Sequence, residues 1–199
     1  MFEAWIGDDD AEPLHAEVAS RLREFSNAGA RIYFLHGNRD FLLAGDYAAR
    51  AALSLLRDPS VIDLYGTPTL LMHGDSLCTQ DLAYQRFRAV AHQPWMQHAF
   101  RALPLALRNA VARRLRQAST NSKEHKPLAV MDAAPAAVSQ ALGSSGCARL
   151  IHGHTHRPAC HEVELDGRAC ERWVLPDWDA RGGWLSCSAE GCGLHFLDT

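Results

Sequence analysis

The sequence predicts an α/β fold, on three observations. Apolar strands at residues 31–35, 69–72 and 149–151 each run straight into a polar loop that opens with His-Gly. The long interval between the second and third strands carries helical patterning, and after residue 156 the texture changes to short strands with glycine turns. In α/β folds, loops at the carboxyl ends of strands are where ligands bind, so the three His-Gly loops are the natural seat of any chemistry.

Residues 12–28 place Leu14, Val18, Leu22 and Phe25 on one face, and Gly29 follows as a C-terminal cap, which predicts an amphipathic helix. The strand at 31–35 leads into His36-Gly37-Asn38-Arg39-Asp40, and residues 46–53 read as a second, short helix. Strands at 61–64 and 69–73 are separated by Gly66 and Pro68. Residues 81–118 are helical, with breaks at Pro94 and Pro104 where a backbone N–H is missing. The tail, with turns at Asp166-Gly167, Gly182-Gly183 and Gly191, predicts an antiparallel run closing the sheet. No internal repeat or low-complexity linker interrupts the chain.

At 199 residues and 22.0 kDa, there is material for one sizeable core, or one domain with a small insertion. Hydrophobic content of 47% with 22% charged residues is globular rather than disordered composition. A formal net charge of −3 gives no general attraction to nucleic acid or anionic membrane, so an anionic ligand needs a local basic patch. The six cysteines, Cys78, Cys147, Cys160, Cys170, Cys187 and Cys192, include no CxxC pair and follow no secretory signal. They are expected to be reduced cytosolic thiols. No apolar run approaches the roughly 18 residues of a membrane span.

In Gly153-His154-Thr155-His156 the two histidines are two apart, so extended backbone would point both to one side, one for each of two neighbouring metals. Read alone, the pair is as compatible with a structural role as with ligation. Asn38, after a strand-end glycine, is by itself more typical of a turn residue bonding its own backbone. His73, before Gly74-Asp75, could equally be a satisfied histidine at a strand end. All three share one context, strand then His-Gly, and together they favour ligation. Imidazole nitrogens and an amide oxygen suit Mn²⁺, Fe²⁺ or Zn²⁺.

These ordered blocks, His36-Gly37-Asn38-Arg39-Asp40, His73-Gly74-Asp75 and Gly153-His154-Thr155-His156, resemble those of the calcineurin-like metallophosphoesterases, which hydrolyse phosphoesters with two metals held between two sheets. Finer features resemble one branch, the UDP-2,3-diacylglucosamine diphosphatases of lipid A biosynthesis. They are Phe2-Glu3-Ala4-Trp5-Ile6-Gly7-Asp8-Asp9, Asn38-Arg39-Asp40-Phe41-Leu42-Leu43, His73-Gly74-Asp75-Ser76-Leu77-Cys78-Thr79, Asn121-Ser122-Lys123-Glu124 and His152-Gly153-His154-Thr155-His156-Arg157-Pro158. The resemblance covers essentially the whole chain.

It implies a four-layer α-β-β-α sandwich in one domain over residues 1–199, with a helical cap inserted at about 81–127. It implies that Asn38, His73 and His154 bind one metal and His156 the other, with Mn²⁺ as the metal. Asn38, Arg39, Asp81, Ser119, Lys123, Lys126 and His154 would contact an acylated nucleotide-sugar substrate, and Arg39 would stabilise charge on its phosphates. The family pattern opens with an Asp-x-His block, then a Gly-Asp block whose aspartate bridges the metals. Met1 stands at the leucine position that follows that aspartate. The expectation is therefore a sandwich lacking its first two strands, and a chain that as written does not hold two metals.

Residues 101–126 carry Arg101, Arg108, Arg113, Arg114, Arg116, Lys123 and Lys126 against Glu124, interleaved with Leu103, Leu105, Leu107, Val111 and Leu115. Without the resemblance this is an amphipathic helix with a solvated basic face. With it, the stretch becomes a cap whose apolar side takes acyl chains and whose basic side faces phosphates or anionic lipid. The implied location is peripheral, on the cytoplasmic face of the inner membrane, with no nucleic-acid partner and no protein partner inferred. Asp8-Asp9-Asp10 reads as a helix start rather than a ligand set. Leu175-Pro176-Asp177-Trp178-Asp179 resembles a tail motif with no assigned chemistry. Two rivals stay open: a phosphoesterase of the same fold acting on nucleotides, and an inactive truncated product.

Overall fold

The computed structural model describes residues 4–124, 127, 130–178 and 182–197, without the side chains of residues 122–124. It is a mixed α/β structure whose chain divides into two compact units, each assembled from two stretches of sequence.

One unit spans Phe2–Arg57 and Leu82–Pro127. Helix α1 (Pro13–Asn27) opens on a proline, whose missing N–H would be unpaired there anyway, and Gly29 follows its end at φ +103°. The predicted apolar face is rotated: His15 and Ala19 are buried, whereas Leu14 is 50% and Phe25 63% exposed. The cause is Trp5, which stacks on His15 at 4.3 Å while Tyr47 donates its hydroxyl to the His15 carbonyl at 3.1 Å. A histidine ring thereby takes the place expected of a leucine.

Strand β1 (Ile32–Leu35) pairs in parallel with β2 (Leu53–Leu56), and α2 (Gly45–Ala51) connects them. The helix expected at 46–53 thus stops early, because Ala52 turns into left-handed backbone at φ +53° and releases β2. Asp8 caps α2 from a distance. Its Oδ1 accepts from Ala44 N at 3.0 Å and its Oδ2 from Tyr47 N at 2.8 Å, satisfying helix N-terminal donors. The triple-aspartate segment therefore serves a different helix from the one that follows it. Trp5, Leu42, Leu43, Tyr47, Ala51 and Leu53 form this unit's core. Helices α3 (Leu82–Ala91), α4 (Pro94–Arg101) and α5 (Leu105–Glu124) break at the two prolines, as the sequence predicts.

The other unit spans Asp58–Asp81 and Leu128–Thr199. Strands β3 (Ser60–Leu64), β4 (Thr67–Met72), β5 (Arg149–His152), β6 (Ala159–Leu165) and β7 (Arg168–Val174) form one sheet in the order β3-β4-β5-β7-β6. Its three central strands are parallel, and both outer strands are antiparallel. Pro68 is tolerated because the β4–β5 pairing begins only at Thr69. Helix α6 (Pro135–Ser145) supplies Val138 and Leu142, which pack with Leu70, Met72, Leu77, Leu150 and Cys170 in the core.

Strands β8 (Gly183–Ser188) and β9 (Gly191–Phe196) form a separate two-stranded hairpin instead of extending the sheet. There the expectation of reduced cysteines is corrected. Cys187 and Cys192 are directly opposite across the ladder, with Cα atoms 4.1 Å apart, and are disulfide-bonded. Cys78, Cys147, Cys160 and Cys170 remain thiols.

Candidate functional site

Parallel register builds the site. Met72 of β4 is level with His152 of β5, so both strands deliver their His-Gly loops to the same edge. Gly153 N donates to the His73 carbonyl at 3.0 Å and locks the loops together. Gly74 makes this approach possible. It sits at φ +105°, and a Cβ there would lie 2.6 Å from His152 Nδ1 and 3.1 Å from Gly153 O.

The result is a pair of facing imidazoles. His73 Nε2 and His154 Nδ1 are 3.2 Å apart, with ring planes at 74°. Two nitrogens each about 2.1 Å from one ion, at cis or tetrahedral angles, would be separated by roughly 3.0–3.4 Å. The pair fits two ligands of a shared metal.

The loop is not extended, which corrects the alternation expected of His154 and His156. Both residues are left-handed, at φ +65° and +53°, and Thr155 N donates to Gly153 O at 2.8 Å in a tight turn. Left-handed backbone costs a non-glycine residue on the order of 1–2 kcal/mol, and such strain gathers at functional loops. The two histidines consequently take different partners. His154 faces His73, while His156 Nδ1 lies 3.1 Å from Asp177 Oδ2.

His152, which the sequence reading left without a role, is the support beneath the loop. It is fully buried, donates from Nδ1 to Gly153 O at 2.8 Å, and burial lowers its pKa to about 4, so it is neutral. Its Nε2 has no hydrogen-bond partner among the described residues.

Asn38, Arg39 and Ser119 belong to the first unit; His73, Asp81, His154 and His156 belong to the second. Asn38 is half-buried and Arg39 exposed in a turn that Asp40 closes by accepting from Gly37 N at 2.5 Å. Burial raises the Asp40 pKa above the usual carboxylate range. Trp5 N donates to the Arg39 carbonyl at 2.7 Å, anchoring that turn to the core. Asp81 is half-buried and its N–H donates to Cys78 O at 3.2 Å, while Ser119 is exposed on α5. Lys126 and the Lys123 side chain lie outside the described residues. Among the described residues, no group of three or more His, Cys, Asp and Glu side chains is arranged to hold an ion.

The basic segment divides. Arg108, expected on the basic side of a cap facing phosphates or anionic lipid, is only 3% exposed; its Nη1 donates to Ile6 O and Asp9 Oδ1, both at 2.7 Å, and its Nη2 to Asp9 Oδ2. This bonding lowers the Asp9 pKa. Arg113 and Arg116, with Gln117, Thr120 and Asn121, instead line a cavity of about 300 Å³. Trp95, Leu107 and Leu115 leave large apolar surfaces exposed on α4 and α5.

The chain is 50% identical over 187 residues to a UDP-2,3-diacylglucosamine hydrolase of Aeromonas hydrophila, covering 94% of this chain and 78% of that protein. It is 46% identical over all 199 residues to the enzyme of that name from Nitrosococcus oceani, covering 79% of it. The chain belongs to the UDP-2,3-diacylglucosamine hydrolase family. A hydrolase of that family from Escherichia fergusonii is 45% identical over 197 residues, or 98% of this chain and 82% of that one. No family model matches the chain. The His-Gly loops are thus those of a UDP-2,3-diacylglucosamine hydrolase family member.

Proposed function

We propose that the protein hydrolyses the pyrophosphate of UDP-2,3-diacylglucosamine to UMP and 2,3-diacylglucosamine 1-phosphate (lipid X), a step of lipid A biosynthesis. Identity of 45–50% over nearly the whole chain to relatives named for that substrate carries the reading. The facing nitrogens of His73 and His154 support its metal dependence.

Water adds its oxygen to the α-phosphorus, the bond from that phosphorus to the bridging oxygen breaks, and lipid X departs with the bridging oxygen. Asn38, His73 and His154 would hold one Mn²⁺, and His156 would contribute to a second. Bound Mn²⁺ supplies charge neutralisation and acidifies water. Arg39 offers its planar fork to the pyrophosphate oxygens and offsets charge that grows during cleavage. Asn38, Asp81, Ser119, Lys123, Lys126 and His154 hold the substrate. The leaving group is itself a phosphate, so no strong general acid is required.

In this reading the architecture is a four-layer α-β-β-α sandwich forming one domain, with residues at about 81–127 as the inserted cap. The exposed Trp95, Leu107 and Leu115 of the cap take up acyl chains, and its exposed Arg113 and Arg114 meet anionic lipid on the cytoplasmic face of the inner membrane. No helix among the described residues is long and apolar enough to cross a membrane.

Residues 1–199 contain no Asp-x-His block, so the test joins the Asp-x-His and bridging Gly-Asp blocks of a relative ahead of Met1. With Mn²⁺ in ¹⁸O water, this chain should release UMP carrying the label. Label appearing in lipid X instead would overturn attack at the α-phosphorus. Cleavage of a chromogenic phosphodiester without UMP release would overturn the substrate.

A further inference from the structure

We infer that the Cys187–Cys192 bond is a redox clasp, whose opening by a dithiol loosens the β8–β9 hairpin and, through it, the Leu175–Trp178 segment beside the second His-Gly loop. The inference goes beyond the reaction proposed above and does not depend on it.

The hairpin has little else to hold its outer end. Among the described residues β8 and β9 pair only with each other, and a two-stranded ladder alone is marginal in water. Trp184, Ser186 and Ser188 leave one face of it open to solvent. Cys187 and Cys192 stand directly opposite each other on the other face, half-buried rather than enclosed. Their sequence separation is only 5, and short loops gain least from a cross-link. A reachable disulfide that closes a short loop is a labile bond rather than a permanent brace. The remaining cysteines offer no such couple: Cys78, Cys147 and Cys170 are buried thiols, and the exposed Cys160 lies opposite Trp173.

Contacts at the base of the hairpin carry the loosening inward. A Cβ on Gly183 would lie 2.9 Å from Pro176 Cγ, and one on Gly182 would lie 3.3 Å from Trp178 Cε3. The hairpin therefore rests directly on the segment that follows β7. That segment forms no strand or helix of its own. Its Leu175 N donates to the His152 carbonyl at 2.8 Å, and its Asp177 Oδ2 lies 3.1 Å from His156 Nδ1. In the redox step, a thiolate of the dithiol attacks one cysteine sulfur, the Cys187–Cys192 bond breaks, and the departing thiolate takes up a proton. The second thiolate of the reductant then resolves the mixed disulfide. Two electrons pass to the chain, which gains two thiols, and the dithiol leaves as its own disulfide.

The test uses the full 199-residue chain, purified without reductant. Thiols counted in denaturant should number four before treatment of the folded chain with dithiothreitol and six after it. Amide hydrogen exchange then compares the two forms. Reduction should speed exchange about tenfold or more in β8 and β9, and about threefold at Leu175 and Asp177, while β4 and β5 stay protected and show that the fold persists. The double variant Cys187→Ser, Cys192→Ser should exchange like the reduced parent with or without dithiothreitol. Cys160→Ser should behave as the parent does in both conditions. Six thiols before treatment, or four after it, overturns the clasp. So does hairpin exchange that reduction leaves unchanged, or a response that Cys160→Ser abolishes. A hairpin that loosens while Leu175 and Asp177 exchange as before overturns the transmission to the loop.

Discussion

His152 shows how much of the candidate site depends on residues that touch no ligand. Its ring fills the space under Gly74, and its Nδ1 proton ties down the carbonyl of Gly153. Burial holds its pKa at about 4 against an ordinary 6.5. The unfolded chain takes up this proton near pH 6.5 and the folded chain only near 4. The stabilisation is therefore intact above 6.5 and is lost as pH falls toward 4, by up to about 3 kcal/mol. An NMR titration should find His152 still neutral at pH 5.5; titration at the ordinary value would contradict its burial. The loops that carry His73 and His154 were legible in the sequence because an apolar strand ends in His-Gly at His73 and again at His152. The supporting part of His152 under Gly74, and the contacts of His15 and Asp177, were not, since those partners come from distant segments and no local spacing records them. Arg108 was misread for the same reason, its carboxylate partner lying 99 residues away.

At the level of elements, glycines at two turns should respond differently to the same substitution. Gly74→Ala combines a positive φ with a Cβ 2.6 Å from His152 Nδ1, and should cost about 2–4 kcal/mol. Gly146→Ala, at the end of α6, has φ +68° but nothing within 4 Å, and should cost only about 1 kcal/mol. Urea denaturation of both variants checks the pair; equal losses would mean that close approach at Gly74 is unimportant. Arg108 fastens α5 to the Ile6–Asp9 segment. Arg108→Met should cost about 1–3 kcal/mol by thermal or urea unfolding, since Ile6 O loses its donor while the largely exposed Asp9 can turn to water. Unchanged stability would contradict the fastening role. Element boundaries were legible where proline marks them, at the starts of α4 and α5. Strand β2 was hidden because Ala52, rather than glycine, takes the left-handed turn before it. Helix α6, in Ala- and Ser-rich sequence, presents little periodicity to read.

For the molecule as a whole, the α/β class was visible from three strands ending in polar loops, and the parallel centre of the five-stranded sheet accounts for why the two loops after β4 and β5 meet. Register itself was not visible, because pairing is set by long-range contacts that no window of sequence contains. Turnover by the proposed route requires His73, His154 and Asn38 in the ligand set and Arg39 on the pyrophosphate. The most direct test is Mn²⁺-dependent UMP release from UDP-2,3-diacylglucosamine, measured on this chain alone and on the chain preceded by a relative's Asp-x-His and Gly-Asp blocks. Release by the extended chain, falling at least a hundredfold in His73→Ala, is the predicted result. Equal release by the chain alone would contradict the bridging role given to the added aspartate. No release by either would contradict the proposed reaction.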